Sequence, residues 1–381
     1  MVMTPEEDMK NPEDLLNRLV DRLLQQRYVR STQVEQAFRS VRRHFFVPSV
    51  ATDVAYAEEA IVTHRGPDGL ARSSSEMPAI MAAMVEQLDV HPGHRVLEVG
   101  AGTGYNAAIL AWLAKPEGQV TTIDIDEVIV REAREHLVRA GFPQVRVVEG
   151  DGWLGAAEEG LFDRIEVTVG VWDLSPHWVE QLMPGGIVVI PLWLRAGVQT
   201  SIAFKKSDGH LQSVSVEPCG FMRLRGPHAG PEGYVQAHHW IAALDESDPS
   251  KIQVLRRLLN ETPSREPAPE LPKGWSLSLA LREPRAIILN DKDNWRKWAA
   301  GIFDADAQSL ALIFDHSLEV FGNDNAKALL LDRVAGSRPL DLRKLYIEAM
   351  PSKATSGPAS TWAIVRPNFR FFVREREGET T

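Results

Sequence analysis

The most constraining feature of this sequence is a glycine-rich turn that directly follows an apolar strand. Val96-Leu97-Glu98-Val99 has the character of a buried strand, and Gly100-Ala101-Gly102-Thr103-Gly104-Tyr105 follows as a turn that opens a helix. Glycine lets backbone N–H groups approach a ligand closely, and a helix N-terminus favours anionic groups. Such turns hold nucleotide-like cofactors, although G-x-G-x-G alone does not choose between them. We therefore expect a cofactor site at this turn.

Strand and helix patterns alternate around the turn, from Arg95 to about Val216. The predicted strands are RVLEV, QVTTID, VRVVE, RIEVTV, GIVVIPL and TSIAFKK. Helical periodicity between the first five predicts a parallel sheet with both faces covered, in a doubly wound, Rossmann-like α/β fold. TSIAFKK and LQSVSVEP, separated by Ser207-Asp208-Gly209-His210, predict an antiparallel hairpin at one edge of that sheet.

A chain of 381 residues exceeds what one hydrophobic core usually supports, so more than one domain is expected. Residues 1–60 predict a helical cap, with Asn11 as the first N-cap and a capping-box pattern at Thr32 and Glu35. Residues 61–226 would form the cofactor domain, and residues 227–274 a helical connector with a proline-rich linker. Residues 275–381, with strands such as RAIILN, LALIFD, TWAIVR and FRFFVRE and helices around Trp295 and Asn325, predict a smaller C-terminal α/β or α+β domain.

Composition narrows the class of protein. A net charge of -10 argues against nucleic acid as a partner, because its recognition depends on clustered Lys and Arg. No apolar run approaches the roughly 18 residues of a membrane helix, and the acidic N-terminus does not resemble a signal peptide, so we expect a cytoplasmic protein without a membrane partner. The single cysteine, Cys219, excludes an internal disulfide and a multi-cysteine metal site, and a packing role suits it better than a nucleophilic one.

Three further acidic positions suit S-adenosylmethionine (AdoMet), and two of them, together with Tyr105, favour it over NAD. Glu98 precedes the turn, where methyltransferases place an acid toward the methionine end of the cofactor, and Tyr105 replaces the third glycine of the dinucleotide pattern. Asp124, at the end of the second strand, can accept from both ribose hydroxyls, which NAD would also satisfy. Asp151, in Glu149-Gly150-Asp151-Gly152, can accept from the adenine amino group while Gly152 lets the ring lie flat. The alternative is that Asp151 merely caps a turn.

The sequence resembles the protein L-isoaspartate O-methyltransferase family over residues 12 to 225. The resemblance rests on VRRHFFVP at residues 41–48, Ala55-Tyr56, LEVGAGTGYNAAIL, GDG, FDRI leading to Thr168, QLMPGG, Ile190-Pro191 and Gln199, in family order. It implies AdoMet as cofactor, S-adenosylhomocysteine (AdoHcy) as product, and a protein or peptide bearing Asp or isoAsp as partner. The implied cofactor residues are Glu98, Gly100, Ala101, Gly102, Thr103, Gly104, Tyr105, Asp124, Ile125, Asp151, Gly152 and Thr168.

The sequence departs from the family at the expected acceptor loop. The family places a serine two residues before a proline, whereas Glu76 stands two residues before Pro78 here. Ser73, Ser74 and Ser75 lie immediately upstream, so one of them could supply the hydroxyl, or all three could simply line a polar loop. Val169-Gly170-Val171-Trp172 replaces the usual run of small residues and would reshape the wall of the acceptor pocket. The expected catalytic stretch is therefore Ser73, Ser74, Ser75 and Glu76.

The length beyond residue 226 resembles that of longer actinobacterial family members that methylate one Asp of a ribosomally made precursor peptide and promote a succinimide (aspartimide). By that resemblance this chain would be a peptide-tailoring carboxyl methyltransferase, with residues 275–381 recognising the peptide. The alternatives are general isoaspartyl repair, a nonenzymatic AdoMet-binding module, and an NAD-dependent oxidoreductase, the last disfavoured by Tyr105 and by the GDG sequence. The pattern is compatible with Asp or isoAsp as acceptor and with a monomer or an oligomer.

Overall fold

The first two helices of the described residues pack their apolar faces on the cofactor domain. This computed structural model describes residues 11–67, 69, 71–207, 210–231, 233–244, 248–292, 297–354, 357–358 and 362–376. Helix α1 (Pro12–Gln25) begins at Asn11, whose side chain accepts from the Glu13 amide, as the sequence predicted. Helix α2 (Thr32–Ser40) has Ser31 as its N-cap residue, one position before the predicted Thr32, because the Ser31 hydroxyl accepts from the Val34 amide at 3.3 Å. Glu35 pairs with Arg39 one turn later, so the predicted capping box does not form.

A short helix and a hairpin lead to the central sheet. Helix α3 (Thr52–Ala55) precedes strands β1 (Ile61–Arg65) and β2 (Ala71–Ser75), which pair with each other antiparallel. Helix α4 (Pro78–Leu88) is buried along most of its length. The hairpin and the start of α4 thereby carry the predicted acceptor residues to the edge of the cofactor domain.

The cofactor domain contains the predicted parallel strands and helices. Its elements are β3 (Arg95–Val99), α5 (Tyr105–Ala114), β4 (Gln119–Asp124), α6 (Glu127–Arg139), β5 (Arg146–Glu149), β6 (Phe162–Val167), α7 (Pro176–Gln181), β7 (Leu182–Trp193), β8 (Gln199–Ser207) and β9 (His210–Pro218). Strands β5, β4, β3, β6 and β7 run parallel in that order, and β8 and β9 extend the sheet antiparallel. These observations confirm the predicted doubly wound sheet and the antiparallel hairpin, whose turn residues Asp208 and Gly209 lie outside the described residues. The predicted position of the hairpin at the edge of the sheet is wrong, because β9 also pairs with a strand near the C-terminus.

The C-terminal part of the chain returns to this same sheet. Strands β17 (Leu345–Pro351), β18 (Trp362–Val365) and β19 (Phe369–Glu375) continue it in the order β9, β17, β19, β18. The large sheet has ten strands among the described residues. Ile347, Phe371 and Val373 are buried in the same core as Ile165 and Val188. The predicted boundary at residue 275 is therefore wrong for these strands, because their apolar faces complete the core of the cofactor domain.

The second sheet is built from the segment between β9 and β17. Its strands are β10 (Gly233–Ala237), β11 (Trp240–Leu244), β12 (Ser264–Pro267), β13 (Ala286–Asp291), β14 (Trp298–Asp304), β15 (Ser309–Phe314) and β16 (Ser317–Gly322). Helices α8 (Pro249–Leu259), α9 (Trp275–Arg282) and α10 (Asn325–Ala335) accompany it. Residues 227–274, predicted as a connector, supply three of these strands and one helix. The first part of the proline-rich stretch is the edge strand β12, which tolerates proline because one side of its backbone needs no ladder partner.

Two details of the C-terminal prediction have different outcomes. The helix around Asn325 is confirmed as α10. The helix around Trp295 centres on residues 293–296, which lie outside the described residues, and β13 and β14 on either side pair antiparallel. Within the described ranges, no helix combines the length and apolar character needed to span a bilayer.

Candidate active site

A cleft opens at the carboxyl ends of β3, β4 and β6, the edge at which open α/β sheets bind ligands. Its lining includes the glycine turn after β3, the stretch Arg72–Glu76, the end of β4 and the segment Phe221–Arg225. Of the predicted site residues, the cleft is lined by Ser73, Ser74, Ser75, Glu76, Glu98, Gly100, Ala101, Gly102, Thr103, Tyr105, Asp124, Ile125, Gly152 and Thr168. Gly104 and Asp151 lie outside this lining.

The backbone of the glycine turn requires glycine at positions 100 and 102, both of which line the cleft. Gly100 and Gly102 have φ values of 104° and 50°, in the left-handed region that side chains disfavour. A Cβ on Gly100 would lie 2.7 Å from the Thr168 hydroxyl, and one on Gly102 would lie 3.3 Å from the Ser74 carbonyl oxygen. The turn therefore forms a cradle that a side chain would fill.

Thr168 fastens this turn to the end of β6. Its hydroxyl lies 2.8 Å from the Gly100 carbonyl oxygen and 3.1 Å from that of Val99, and its amide donates to the Val99 carbonyl oxygen at 2.9 Å. The side chain thus acts on the shape of the turn as well as bordering the cleft.

Asp124 is held from both sides of the cleft. Its Oδ2 accepts from the Gly102 amide at 3.4 Å, and its Oδ1 accepts from the Asp126 amide and from Arg225 Nη2, each at 3.2 Å. Arg225 also donates to Asp126 Oδ2 at 3.0 Å. Burial raises the pKa of Asp124, and the positive charge of Arg225 opposes that shift. Sequence reasoning missed Arg225, which is 101 residues away in the chain.

Glu98 lies at the deep end of the cleft in a hydrogen-bonded group. Its carboxyl accepts from Asn106 Nδ2 at 2.8 Å and from the Thr122 hydroxyl at 2.5 Å. Asn106 Nδ2 also donates to Glu166 Oε2 at 2.7 Å. Burial raises the pKa of Glu98 to about 8 and that of Glu166 to about 7. Sequence reasoning did not predict Glu166 as a residue near the site. The available signal was a glutamate within the apolar strand RIEVTV, which indicates a buried carboxyl.

Tyr105 contributes mainly to packing. Its ring contacts Phe46 and Phe38 of the helical cap, at centroid separations of 5.5 Å and 6.5 Å. Its hydroxyl is buried and has no hydrogen-bond partner among the described residues. The side chain thereby links the glycine turn to the N-terminal helices.

Gly152 lines the cleft, whereas the neighbouring Asp151 stands just outside its lining. Asp151 Oδ1 accepts from the Trp153 amide at 3.0 Å and so caps a short turn, which is the alternative considered from the sequence. A Cβ on Gly152 would lie 2.5 Å from Val99 Cγ1. The ring of His228 stacks on Trp153 with a centroid separation of 4.8 Å, so the segment after Arg225 covers this turn.

The stretch Ser73–Glu76, which the sequence predicted to border the acceptor, is fixed by one fully buried arginine. Arg43 donates to the Ser75 and Glu76 carbonyl oxygens at 3.2 and 2.9 Å and to the Ser75 hydroxyl at 3.3 Å. It also donates to the carbonyl oxygens of Ala55, Ala57 and Glu59. One guanidinium thus fastens the segment after α3 to the end of β2. Desolvation lowers the pKa of Arg43.

The three serines are not equivalent, because side chains alternate along β2. Ser73 and Ser75 are buried, whereas Ser74 is partly exposed. The Ser75 hydroxyl accepts from Arg43, and the Ser73 hydroxyl is buried without a partner in the described part of the chain. Glu76 accepts from the Met77 amide at 2.8 Å, and burial raises the pKa of its carboxyl.

Comparison with known proteins agrees with this geometry. Residues 14–228 match the family model described as protein-L-isoaspartate(D-aspartate) O-methyltransferase (PCMT). That match spans more than half of the chain. The chain belongs to this family.

Relatives of the PCMT family give the extent of the similarity. A protein-L-isoaspartate O-methyltransferase of Methanopyrus kandleri is 39% identical over 218 residues, covering 57% of this chain and 92% of the relative. That of Hyperthermus butylicus is 37% identical, covering 56% and 90%. A solved structure of a protein-L-isoaspartate O-methyltransferase has a TM-score of 0.53 at 24% identity and covers 87% of this chain and 95% of its own. Since 87% exceeds the part matched by the sequence relatives, the likeness of fold extends into the C-terminal part.

As a PCMT family member the protein is an AdoMet-dependent methyltransferase. The cleft fits that cofactor, because its glycine cradle is bordered by two carboxyl side chains, Glu98 and Asp124. The lining also includes residues that sequence reasoning did not single out: Met81, Met84, Asn106, Phe221, Met222, Arg223, Leu224 and Arg225. The residues after Gly220 belong to no recognisable motif. They reach the cleft only because the loop after the hairpin folds back onto it.

Proposed function

We propose that this protein transfers the methyl group of AdoMet to the side-chain carboxylate of an isoaspartyl or aspartyl residue in a protein or peptide. The products would be a methyl ester and AdoHcy. One observation carries the proposal: the Ser73–Glu76 stretch and the glycine turn border the same cleft, with the Ser74 carbonyl oxygen 3.3 Å from the Cβ position of Gly102. This puts the predicted acceptor residues beside the predicted cofactor residues.

The chemistry needs orientation more than acid–base catalysis. An acceptor carboxyl with a pKa near ~4 is already ionised at neutral pH, so no general base is required. When bound, AdoMet supplies an electrophilic methyl group on a sulfonium sulfur. The chain's own residues would hold the carboxylate in line and exclude water, an effect that can lower a barrier by roughly 7 to 11 kcal/mol. This agrees with a cleft that pairs a rigid glycine turn with a loop held by Arg43.

Individual residues take separate roles in this proposal. Asp124 would accept from the ribose hydroxyls, Glu98 would lie toward the methionine end, and Asp151 with Gly152 would border the adenine. Ser74 is the best-placed hydroxyl for the acceptor, because Ser73 is buried and Ser75 is occupied by Arg43. Ser74→Ala should therefore reduce turnover more than Ser73→Ala or Ser75→Ala.

Glu76 adds a pH dependence to acceptor binding. Its carboxyl has a raised pKa because it is buried, and in the protonated form it can donate to the acceptor carboxylate. Once ionised, it would repel that carboxylate. The value of kcat/KM should therefore fall as pH rises through the pKa of Glu76, and Glu76→Gln should remove that alkaline limb.

The isoaspartyl side chain is the first acceptor to test, since the relatives are named for it. General protein repair is therefore the simpler biological role. Methylation of one Asp in a ribosomally made precursor peptide stays a prediction. In that case the next backbone amide nitrogen would attack the ester carbonyl, methanol would leave, and a succinimide would form.

Mass spectrometry after incubation with AdoMet tests the proposal. The protein is incubated with an isoaspartyl peptide, the matched aspartyl peptide, or neither, and Gly102→Val serves as the inactive control. A methyl ester or succinimide on a peptide, dependent on AdoMet, supports carboxyl methylation, and the preferred peptide identifies the acceptor. AdoHcy binding without modification of either peptide would favour a nonenzymatic binding module.

A further inference from the structure

The loop after β6 connects the cleft to the C-terminal strands. We call Val169–Asp173 the wall loop, because Val169 lines the cleft. Gly170 donates its amide to the Met222 carbonyl oxygen at 2.7 Å and accepts from the Leu224 amide at 2.9 Å. Both of these partners also line the cleft. The wall loop therefore forms one side of the cleft, and its backbone is hydrogen-bonded to the segment Phe221–Arg225, which forms another side.

The far end of the wall loop is held by the turn between β18 and β19. Arg366 donates to the Trp172 carbonyl oxygen at 3.0 Å and to the Leu194 carbonyl oxygen at 2.8 Å. Its guanidinium lies 4.3 Å from the centre of the Trp172 ring. Trp172, expected from the sequence to reshape the acceptor wall, thus packs against the C-terminal strands, and Val169 is the member of the loop that lines the cleft.

Asn368 makes a second attachment beside the first. Its backbone amide and its Nδ2 donate to Asp173 Oδ2 at 2.8 and 2.9 Å. Asp173 is 4% exposed and Arg366 is 8% exposed, so the polar groups involved are largely removed from water. Leaving such groups without partners is costly in a buried environment, so the wall loop is held in one position.

We propose that Arg366 and Asn368 are positioning residues that fix the wall loop, so that the C-terminal strands govern acceptor binding without contacting the acceptor. The inference rests on the proposed carboxyl methyltransfer. Neither residue is among those lining the cleft. Each acts through the loop that begins next to Thr168 and includes Val169. The hairpin that carries them is fastened separately through β17 and β9, so removing one side chain leaves its strands paired.

The test compares Arg366→Met and Asn368→Ala with the wild type and with Arg374→Met. Arg374 lies on the same hairpin, its side chain is half exposed, and it contacts Glu348 at 3.8 Å and the Tyr346 ring at 4.5 Å, both away from the wall loop, so it is the control. Three quantities are measured: KM and kcat with an isoaspartyl peptide, AdoHcy affinity by calorimetry, and amide hydrogen exchange of residues 169–173. We expect KM to rise about tenfold in Arg366→Met, which corresponds to roughly 1.4 kcal/mol, with AdoHcy affinity changed less than about twofold.

Asn368→Ala should give a smaller change in the same direction, because its backbone amide still donates to Asp173. Exchange of the wall-loop amides should accelerate in both variants and remain unchanged in Arg374→Met. An unchanged KM with unchanged exchange would overturn the proposal. Equal losses of acceptor and AdoHcy affinity with a lower melting temperature would also overturn it, by showing a general structural role. A wild type that binds AdoHcy but modifies no peptide would instead refute the proposed function, while exchange would still report whether the loop is fixed.

Discussion

Glu98 and Glu166 lie side by side on the neighbouring parallel strands β3 and β6, and both are fully buried. The Asn106 side-chain amide donates to both carboxyls. Two adjacent buried carboxyls are hard to ionise together, because burial and mutual repulsion both disfavour the charged form. Their pKa values of about 8 and about 7 reflect this environment, with burial as the larger cause.

This pair should make the free protein less stable as the pH rises. In the unfolded chain each carboxyl has its ordinary pKa of 4.5, so between about pH 4.5 and about 8 unfolding releases protons. The stability that each protonated carboxyl contributes below pH 4.5 is therefore lost as the pH rises, until about pH 7 for Glu166 and about pH 8 for Glu98, at up to about 1.4 kcal/mol per pH unit for each group. Denaturant unfolding measured from about pH 5 to about pH 9 checks this. Glu166→Gln should flatten the dependence, and an unchanged slope would mean that Glu166 is already ionised in the folded protein.

Gly102→Val should abolish AdoHcy binding. Valine is β-branched, so it would be strained at a φ of 50°, and its side chain would enter the space between the turn and the Ser74 carbonyl oxygen. Gly141→Val is the matched control, because Gly141 has a φ of 87° with no other atom within 4 Å of its Cβ position. The control should lose stability and keep its affinity by calorimetry. Affinity retained in Gly102→Val would remove the turn from the cofactor site.

Asp124→Ala should weaken AdoHcy binding by about 1 to 3 kcal/mol, the usual loss for hydrogen bonds to a charged group. Asp126→Ala tests the specificity of this effect, since Asp126 also pairs with Arg225 but does not line the cleft. Asp126 caps α6, so its removal should lower stability by about 1 kcal/mol and leave affinity unchanged. Equal affinity losses in the two variants would assign the effect to Arg225.

Arg43→Lys should reduce acceptor turnover more than AdoHcy binding. Lysine has three donors on one nitrogen, so it cannot reach the carbonyl oxygens of both Ala55 and Glu76 as the guanidinium does. The acceptor stretch should loosen while the glycine turn stays in place. The neighbouring Arg42 is exposed, so Arg42→Lys is the control. Steady-state kinetics with an isoaspartyl peptide, together with calorimetry, separate the two effects. Equal losses of peptide turnover and of AdoHcy affinity would show that Arg43 supports the whole cofactor domain.

The sequence by itself determined the local elements of the cofactor domain. The alternation of β-branched runs with amphipathic helices predicted the parallel sheet, because each period of hydrophobicity fits one kind of backbone. Short stretches of sequence likewise predicted the glycine turn, the helix cap at Asn11 and the hairpin strands β8 and β9. Within the candidate site, the residues from Glu98 to Tyr105 and the Ser73–Glu76 stretch could be located from the sequence alone.

Tertiary structure alone decided which distant groups meet. The Arg225–Asp124 pair spans 101 residues, and Arg366 reaches Trp172 across 194. The pairing of β17 with β9 likewise joined the C-terminal strands to the first core and left residues 233–322 to form the second sheet. Sequence periodicity reports which face of an element is apolar, but it does not say which other element covers that face. Long-range pairing and burial settle that choice, and they also determine which carboxyls lose contact with water.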